Sequence, residues 1–305
     1  MKILIATEKP FASAAVDGIR KAIEESGNSM ALLEKYQDKS QLIEAVKDAD
    51  ALIIRSDKVD EEVLSAATNL KIVVRAGAGY DNVDLASATR HNVVVENTPG
   101  QNANAVAELV FGLLVYAARN FYNGTSGTEL KGKKLGLLAF GNVGRNVSRI
   151  AKGFGMEVFA YDAFCPKEAI EAQGVHAVES QEELFADCDI VSLHIPSTPE
   201  TQKSINYELV SKMKKGALLV NTARKEIINE DELLKVMEER DDLKYLTDIK
   251  PDAHDQFLNF NGRYFSTPKK MGAQTAEANI NAGIAAANQI IAFFQSDDTK
   301  FQVNK

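Results

Sequence analysis

Short apolar runs alternate with segments of helical periodicity along the first third of the chain. The runs are rich in leucine, isoleucine and valine and cover Lys2–Ala6, Met30–Tyr36, Ala51–Arg55, Lys71–Arg75 and Val93–Glu96. Between them, apolar residues recur at the spacing of amphipathic helices. Strands that are apolar on both faces and alternate with helices are typical of a parallel sheet covered on both sides. This part is therefore predicted to fold as a parallel α/β domain.

A second series of the same kind begins beyond the turn residues Thr98–Gly100. A long helix is predicted first, at Asn104–Asn120, and another at Ala276–Gln295, with Ile284 and Phe294 on one side. Between these helices lie five further apolar runs, Lys134–Phe140, Glu157–Tyr161, Ile190–His194, Leu218–Asn221 and Tyr245–Asp248. Two α/β domains are therefore expected, with a ligand in the cleft between them, beyond the carboxyl ends of the strands.

The bulk composition excludes several classes of function. With 45% hydrophobic and 26% charged residues among 305, the chain is typical of globular proteins. A formal net charge of -8 repels phosphates, so no nucleic-acid partner is expected. The start lacks a signal-peptide core and no apolar stretch is long enough for a bilayer, so no membrane association is expected. Two cysteines, Cys165 and Cys188, imply no disulfide framework, and a cytoplasmic location is predicted.

A turn rich in small residues, Ala139–Gly144, follows a predicted strand and opens a helical segment. It matches the dinucleotide-binding pattern with alanine at the first glycine position. Gly141 would let the backbone approach a pyrophosphate, and Gly144 would permit close packing of the helix on the strand. Ala139 is expected to keep a negative φ, because a side chain disfavours the left-handed region. A match this imperfect fits a purely structural strand–turn–helix nearly as well.

Asp162 ends the next predicted strand, about 20 residues further on. A carboxylate at this point can accept hydrogen bonds from both hydroxyls of the adenosine ribose. It would repel a 2′-phosphate, and the following Ala163 and Phe164 offer no arginine to bind one. The predicted cofactor is therefore NAD rather than NADP. A strand-end carboxylate without a ligand is the alternative.

Ordered motifs along essentially the whole chain resemble those of the D-isomer-specific 2-hydroxyacid dehydrogenases. Besides the Ala139–Gly144 turn and Asp162, they are RSDKVDEEVL (Arg55–Leu64), RAGAGYDNVD (Arg75–Asp84), NTPGQNANAVAE (Asn97–Glu108), VSLHIPSTPET (Val191–Thr201), NTARKEIINEDEL (Asn221–Leu233), TDIKPD (Thr247–Asp252) and TPKKMGAQT (Thr267–Thr275). So many matches in one order are specific for the family. Within it, the resemblance is strongest to the branch that acts on 3-phosphoglycerate.

The resemblance implies an α/β fold of two doubly wound parallel-sheet domains with a cleft between them. A flavodoxin-like substrate-binding domain would comprise residues 1–97 and 276–305, and a Rossmann NAD-binding domain would comprise residues 98–275. The resemblance also implies NAD, a small anionic substrate and a homodimer formed through the NAD domains, without a metal. No regulatory domain is expected after Lys305, so feedback by serine through such a domain is not expected either.

The catalytic residues implied by the resemblance are an arginine and, unusually, a lysine. Arg224 matches the family's arginine, whose planar guanidinium binds a carboxylate through two hydrogen bonds and stays charged. The family's histidine is absent. Counting back from Gly272–Ala273 puts Lys270 at its position, and counting forward from Thr267–Pro268 puts Lys269 there. Lys270 is favoured, because the Gly–Ala turn more directly sets the direction of the side chain.

The glutamate that pairs with the family's histidine is absent as well. Ala253 is assigned to its position, and Lys225 replaces the glycine that usually follows Arg224. A carboxylate beside a lysine would raise its pKa, already about 10.4, and suppress the neutral amine that a base requires. Without it, desolvation and the charge of Arg224 would lower the pKa of Lys270. His254 is the competing proton carrier, and a solvated pair of loop lysines is the alternative without a catalytic role.

The resemblance also assigns binding residues. Those implied for NAD are Ala78, Gly141, Asn142, Val143, Gly144, Asp162, His194, Ile195, Thr222, Ala223, Arg224, Asp248, Gly272 and Ala273. Those implied for the substrate are Arg55, Ser56, Lys58, Arg75, Gly77, Ala78 and Gly79. In the substrate set, N–H groups of the glycine loop would hold the carboxylate, and the cationic side chains would hold a distal phosphate.

The leading function is oxidation of 3-phosphoglycerate to 3-phosphohydroxypyruvate, a step toward serine. One alternative is a dehydrogenase or reductase of another 2-hydroxy acid, of the glycerate and hydroxypyruvate type. Another, from a different class, is a catalytically silent NAD-binding dimer of the corepressor type. The missing histidine and glutamate are compatible with such a silent dimer, whereas Arg224 and the cationic RSDK loop count against it.

Overall fold

The computed structural model describes residues 1–305 and separates them into two compact units. The first comprises Met1–Asn102 and Gln274–Lys305, and the second comprises Ala103–Ala273. The loop after the last strand of the first unit stays with that unit, because the Thr98 amide donates to the Gly77 carbonyl at 2.9 Å. The first limit therefore lies beyond the predicted residue 97.

The first unit is a five-stranded sheet in which each strand is parallel to its neighbours. Its strands are β1 (Lys2–Thr7), β2 (Ser29–Glu34), β3 (Ala51–Ile54), β4 (Ile72–Arg75) and β5 (Val94–Asn97). Its helices are α1 (Ser13–Glu25), α2 (Lys39–Val46), α3 (Glu61–Ala66), α4 (Leu85–Arg90) and the last helix of the chain, α12 (Ala276–Ser296). The order β2-β1-β3-β4-β5 is the flavodoxin-like order. Apolar cores fill both faces of the sheet, one beneath α1 and α12 and the other beneath α2, α3 and α4.

The last helix packs through its small residues. Gly283 and Ala286 lie on its buried face, whereas Ile284 and Phe294 are only partly buried. A Cβ atom at Gly283 would lie 2.7 Å from Cδ1 of Ile19 on α1. Glycine therefore lets α12 approach α1 closely, which is why small residues rather than the predicted apolar side turn inward. Neither α12 nor any other helix is both long and apolar enough to cross a membrane.

The second unit is a seven-stranded parallel sheet in the order β12-β11-β10-β9-β6-β7-β8. Its strands are β6 (Lys134–Leu138), β7 (Glu157–Tyr161), β8 (His176–Ala177), β9 (Ile190–Leu193), β10 (Leu218–Asn221), β11 (Lys244–Thr247) and β12 (Tyr264–Ser266). Its helices are α5 (Ala103–Ala118), α6 (Asn142–Gly153), α7 (Lys167–Glu171), α8 (Gln181–Asp187), α9 (Tyr207–Ser211), α10 (Glu230–Glu239) and α11 (His254–Phe257). This is the Rossmann order with one strand added, and the strand order reverses between β6 and β9.

Strand register brings four chain segments to one edge of this sheet. Leu138 pairs with Leu193, Leu193 with Asn221, and Asn221 with Thr247. The residues that follow these strands therefore emerge side by side at the carboxyl edge. In open α/β sheets, ligands bind at this edge where the strand order reverses.

Candidate active site

The turn after β6 adopts an unfavourable conformation at its first residue. Ala139 has a φ of 84°, in the left-handed region, which contradicts the negative φ expected from the sequence. The Ala139 amide donates to the Tyr161 carbonyl at 2.8 Å, and the Phe140 amide donates to Oδ2 of Asp162 at 2.7 Å. An L-residue in this region costs roughly 1–2 kcal/mol. The two hydrogen bonds to the end of β7 hold the turn against that cost.

The helix after this turn leaves its N-terminus open to an anion. Gly141 is the N-cap of α6, no side chain caps the helix, and its first turn contains no acidic residue. A Cβ atom at Gly141 would meet no heavy atom within 4 Å, whereas one at Gly144 would lie 2.5 Å from the carbonyl oxygen of Ala139. Gly144 is therefore needed for packing, and Gly141 leaves room above the helix. The amides of Asn142 and Val143, with the helix dipole, suit a pyrophosphate.

Asp162 organises the loop that follows β7. Its Oδ1 accepts from the amides of Phe164 and Cys165 at 2.8 and 2.9 Å, and its Oδ2 accepts from Phe140. A carboxylate has roughly four acceptor positions, and three are used here. One position is left for a ribose hydroxyl, rather than the two expected from the sequence.

Three polar side chains at neighbouring strand ends each have one buried atom without a hydrogen-bond partner. These atoms are Nε2 of His194 after β9, Oγ1 of Thr222 after β10 and Oδ1 of Asp248 after β11. Burial lowers the pKa of His194 to about 4, so its imidazole is neutral near pH 7. Buried polar groups normally have partners, so three such atoms at one sheet edge indicate a ligand with both donors and acceptors. The carboxamide of nicotinamide has both, and these positions therefore fit NAD.

Asp248 also binds the backbone just before Ala273, the last residue of the second unit. Its Oδ2 accepts from the amides of Gly272 at 2.6 Å and Met271 at 3.2 Å. A Cβ atom at Gly272 would lie 2.9 Å from the same oxygen, so this close approach requires glycine. Burial raises the pKa of Asp248, while the two amides and the charges of Lys270 and Arg224 oppose that rise. The carboxylate thus lies within electrostatic range of both predicted catalytic cations.

Arg224 and Lys270 meet at one carbonyl oxygen. The Ala223 carbonyl accepts from Nη1 of Arg224 and from Nζ of Lys270, each at 2.9 Å. The two cations are therefore close neighbours beside Asp248. Lys270 is solvent-exposed, which differs from the desolvated environment expected from the sequence. Lys270 therefore has two neighbouring charges of opposite sign, the guanidinium of Arg224 and the carboxylate of Asp248.

The other two candidates for proton transfer make different contacts. Lys269 is exposed, and its carbonyl accepts a local side-chain hydrogen bond at 2.7 Å. Nδ1 of His254 lies 2.8 Å from the hydroxyl of Tyr264 on β12. Hydrogen bonds thus join Lys270, and neither Lys269 nor His254, to Ala223–Arg224.

In the first unit, the predicted phosphate ligand Arg55 is engaged by its own unit. Its Nη1 donates to the carbonyls of Lys9 at 3.0 Å and Pro10 at 2.9 Å, and its Nη2 donates to Oδ1 of Asn279 at 2.6 Å. Its guanidinium carbon lies 5.1 Å from the centre of the Phe11 ring. These contacts tie the loop after β1 to α12. Arg55 is therefore a structural brace in this geometry, whereas the sequence analysis expected an open side chain that binds a phosphate.

Arg75 covers the glycine loop after β4. Its Nε donates to the Arg55 carbonyl at 2.9 Å. Gly77 has a φ of 148°, which favours glycine, and a Cβ atom there would lie 1.6 Å from Nη1 of Arg75, so the guanidinium occupies the space that a side chain would need. A guanidinium thus lies on the loop Gly77–Gly79, where the sequence predicted a carboxylate site.

A buried carboxylate that the sequence analysis did not single out joins three loops of this unit. Asp57 lies between the exposed Ser56 and Lys58 and accepts from the Glu8 amide at 2.7 Å and the Tyr36 hydroxyl at 2.8 Å. Its other oxygen accepts from the backbone of its own loop at 3.1 Å. The only signal for Asp57 in the sequence was an acidic residue within the cationic loop Arg55–Lys58. Such a signal does not tell a brace from a ligand.

Comparison with known proteins agrees with this geometry. Residues 114–262 match the family model of the D-isomer specific 2-hydroxyacid dehydrogenase, NAD binding domain. The chain is 49% identical to 3-phosphoglycerate dehydrogenase of Entamoeba histolytica, whose crystal structure contains NAD+. That similarity covers 100% of this chain and 99% of the other, with a TM-score of 0.91.

Two curated relatives differ in substrate. The chain is 38% identical to D-3-phosphoglycerate dehydrogenase of Methanocaldococcus jannaschii over 269 residues, which are 83% of this chain and 51% of that protein. It is 35% identical to hydroxypyruvate reductase of Thermotoga maritima over 276 residues, which are 84% of this chain and 88% of that protein. The chain therefore spans about half the length of the first relative and most of the second.

Proposed function

The chain belongs to the family of D-isomer-specific 2-hydroxyacid dehydrogenases, and from that premise we propose that it oxidises 3-phosphoglycerate to 3-phosphohydroxypyruvate with NAD. The observation that carries the proposal is the meeting of Arg224 and Lys270 at the Ala223 carbonyl. Oxidation of an alcohol next to a carboxylate requires an anion anchor and a proton acceptor in fixed relation. A scaffold that only binds NAD requires neither.

Bound NAD would supply the hydride acceptor, and the second unit offers groups to hold it. The N-terminal amides of α6 at Asn142–Gly144 would bind the pyrophosphate, and Asp162 would bind one ribose hydroxyl. The buried, unpartnered atoms of His194, Thr222 and Asp248 would bind the carboxamide.

Arg224 and Lys270 would divide the work on the substrate. Arg224 would bind the carboxylate and polarise the oxygen on C2, since its guanidinium is planar and always charged. Lys270, as the neutral amine, would take the hydroxyl proton while the C2–H bond breaks with its electron pair and the C=O bond forms. In the reverse direction its ammonium would return the proton. Asp248 would limit the repulsion between the two cations.

The distal phosphate of the substrate is proposed to bind to the first unit. Arg75, on the loop Gly77–Gly79, and the exposed Ser56 and Lys58 are the groups of the first unit that would bind this phosphate. The relatives named phosphoglycerate dehydrogenases support this choice. The bracing role of Arg55 and the hydroxypyruvate reductase relative favour a second candidate, a dehydrogenase of an unphosphorylated acid such as glycerate.

The test is a panel of 2-hydroxy and 2-oxo acids in which the formation or consumption of NADH is followed by its absorbance. We expect 3-phosphoglycerate and 3-phosphohydroxypyruvate to have the highest kcat/KM. Turnover of glycerate with 3-phosphoglycerate inert would favour the second candidate. Tight NADH binding without turnover of any acid would favour a silent, corepressor-like dimer.

The homodimer through the NAD-binding unit and the cytoplasmic location are part of this proposal through the family resemblance. Light scattering of the purified chain tests the former. A monomer at working concentration would remove it from the proposal.

A further inference from the structure

The strip of chain that carries Arg224 is held from two sides. On the strand side, the Asn221 side chain donates to the Arg224 carbonyl at 2.8 Å and accepts from the Ala223 amide at 3.0 Å. On the other side, Nζ of Lys225 reaches Oδ1 of Asp252 at 2.5 Å. This ion pair joins the loop after β10 to the loop after β11.

The loop that carries Asp252 is in turn held by a carboxylate from α10. Glu230 accepts from the Asp252 amide at 3.1 Å and from the Ala253 amide at 2.7 Å, one on each oxygen. Ala253 is the residue to which the family resemblance assigns the position of the missing glutamate. The hydrogen bond to Asp252 is the largest of the effects that raise the pKa of Lys225, so the Lys225 amine is charged near pH 7.

The two loops border a cavity. Lys225, Glu230, Asp252 and Ala253 line a cavity of about 690 Å³ that opens to solvent. Ala223 and Ala253 pack against the apolar core of this unit, and the Lys225–Asp252 ion pair is the side-chain contact that joins the two loops beside the cavity. The glycine that usually follows the family's arginine has no side chain to make such a bridge.

We propose that Lys225, Asp252 and Glu230 form a positioning clamp that sets the direction of Arg224 and of the Ala223 carbonyl. That carbonyl binds the catalytic lysine, so the clamp acts on both catalytic groups through one backbone segment. None of the three residues is a catalytic residue. The inference rests on the proposed function, because it concerns the geometry of that reaction.

The clamp is tested by breaking its ion pair and comparing an unrelated pair of equal exposure. Lys225 and Asp252 have side-chain exposures of 35% and 79%. The control pair, Lys212 at the C-cap of α9 and Glu208 within that helix, has 38% and 81%. In Lys225→Met and in Asp252→Asn, kcat should fall about tenfold, because small displacements of catalytic groups cost rate. KM for the substrate and Kd for NADH should change less than about twofold, since binding groups remain. Lys212→Met should match the wild type.

Rescue and coupling separate positioning from a merely structural role. Lys225→Arg should keep at least about half of kcat, because an arginine can still reach Asp252. The double variant Lys225→Met/Asp252→Asn should be no worse than either single variant, since both remove one contact. If Lys225→Met has a lower melting temperature than the wild type, kcat is compared per NADH-binding site.

Two outcomes overturn the inference while the proposed function stands. These are full kcat in Lys225→Met and Asp252→Asn, or independent losses that multiply in the double variant. A wild-type chain that binds NADH but oxidises no 2-hydroxy acid overturns the proposed function itself and removes the reaction that the clamp would serve.

Discussion

At the first position of the cofactor turn, Ala139 holds a backbone angle that glycine adopts without steric cost. Ala139→Gly should therefore raise the free energy of unfolding by up to about 1 kcal/mol, the difference between relieved strain and added chain entropy. Ala139→Val should lower it by roughly 2 kcal/mol, because a β-branched side chain fits the left-handed region least. Urea denaturation of both variants measures this. A valine variant as stable as the wild type would show that the turn relaxes freely.

The two adjacent lysines form a matched pair for the proton-transfer step. Lys270→Ala should lower kcat by about 10²–10⁴-fold, the usual contribution of a general acid–base group, while Lys269→Ala should stay within about twofold. The reason is that only the Lys270 amine contacts the Ala223 carbonyl that Arg224 also binds. Steady-state rates at saturating NAD provide the measurement. Equal rates in both variants would exclude Lys270 and direct attention to His254.

At the scale of elements, the edge strand β5 is closed by the end of the chain. The Val303 amide donates to the Val95 carbonyl, and Oδ1 of Asn304 accepts from the Val95 amide, each at 2.9 Å. Nδ2 of Asn304 donates to the Val93 carbonyl at 2.9 Å. The asparagine side chain thus continues the ladder as a peptide group would. The edge that it covers would otherwise present unpaired backbone groups.

Glu96, buried beneath this segment, gives the first unit a pH-dependent stability. Burial raises the pKa of Glu96 from 4.5 to about 7, the Phe301 amide opposes this rise, and Asp298 adds to it. The folded state therefore binds the proton more tightly than the unfolded state does. The stability contributed by the protonated group is lost as pH rises from 4.5 to about 7.

Glu96→Gln should consequently gain stability relative to the wild type as pH rises through that window. Denaturant unfolding at both ends of the window measures the gain, with Glu25→Gln as an exposed control on α1. A difference between Glu96→Gln and wild type that is the same at both pH values would contradict the assignment.

At the scale of the whole molecule, the NAD-binding domain predicts stabilisation by its cofactor. NADH at about 100 times its Kd should add about 2.7 kcal/mol to the stability of the folded state and raise the melting temperature by roughly 5–10 °C. Gly141→Val should melt near the wild-type temperature without cofactor, because its Cβ enters open space at a φ of -76°. It should lose the NADH-dependent shift, since that space is where a pyrophosphate approaches α6. A full shift in the variant would place the cofactor elsewhere.

The sequence by itself determined the family, the fold class and the cofactor, and these predictions are confirmed. Apolar runs between helical segments specify parallel sheets, because strands buried on both faces cannot tolerate polar residues. The small residues after β6 predict a cofactor-binding turn, since a bulky side chain there would block the close approach of a pyrophosphate. Such local patterns need no knowledge of which distant segments meet.

Only the tertiary structure decided where the long polar side chains form their hydrogen bonds. Arg55 binds Asn279, 224 residues away, and so becomes a brace. The amine of Lys270, and not that of Lys269, donates to the Ala223 carbonyl after β10. The long side chains of arginine and lysine can reach many partners with similar conformational free energy. Their partners are therefore set by which strand ends the folded sheet brings together.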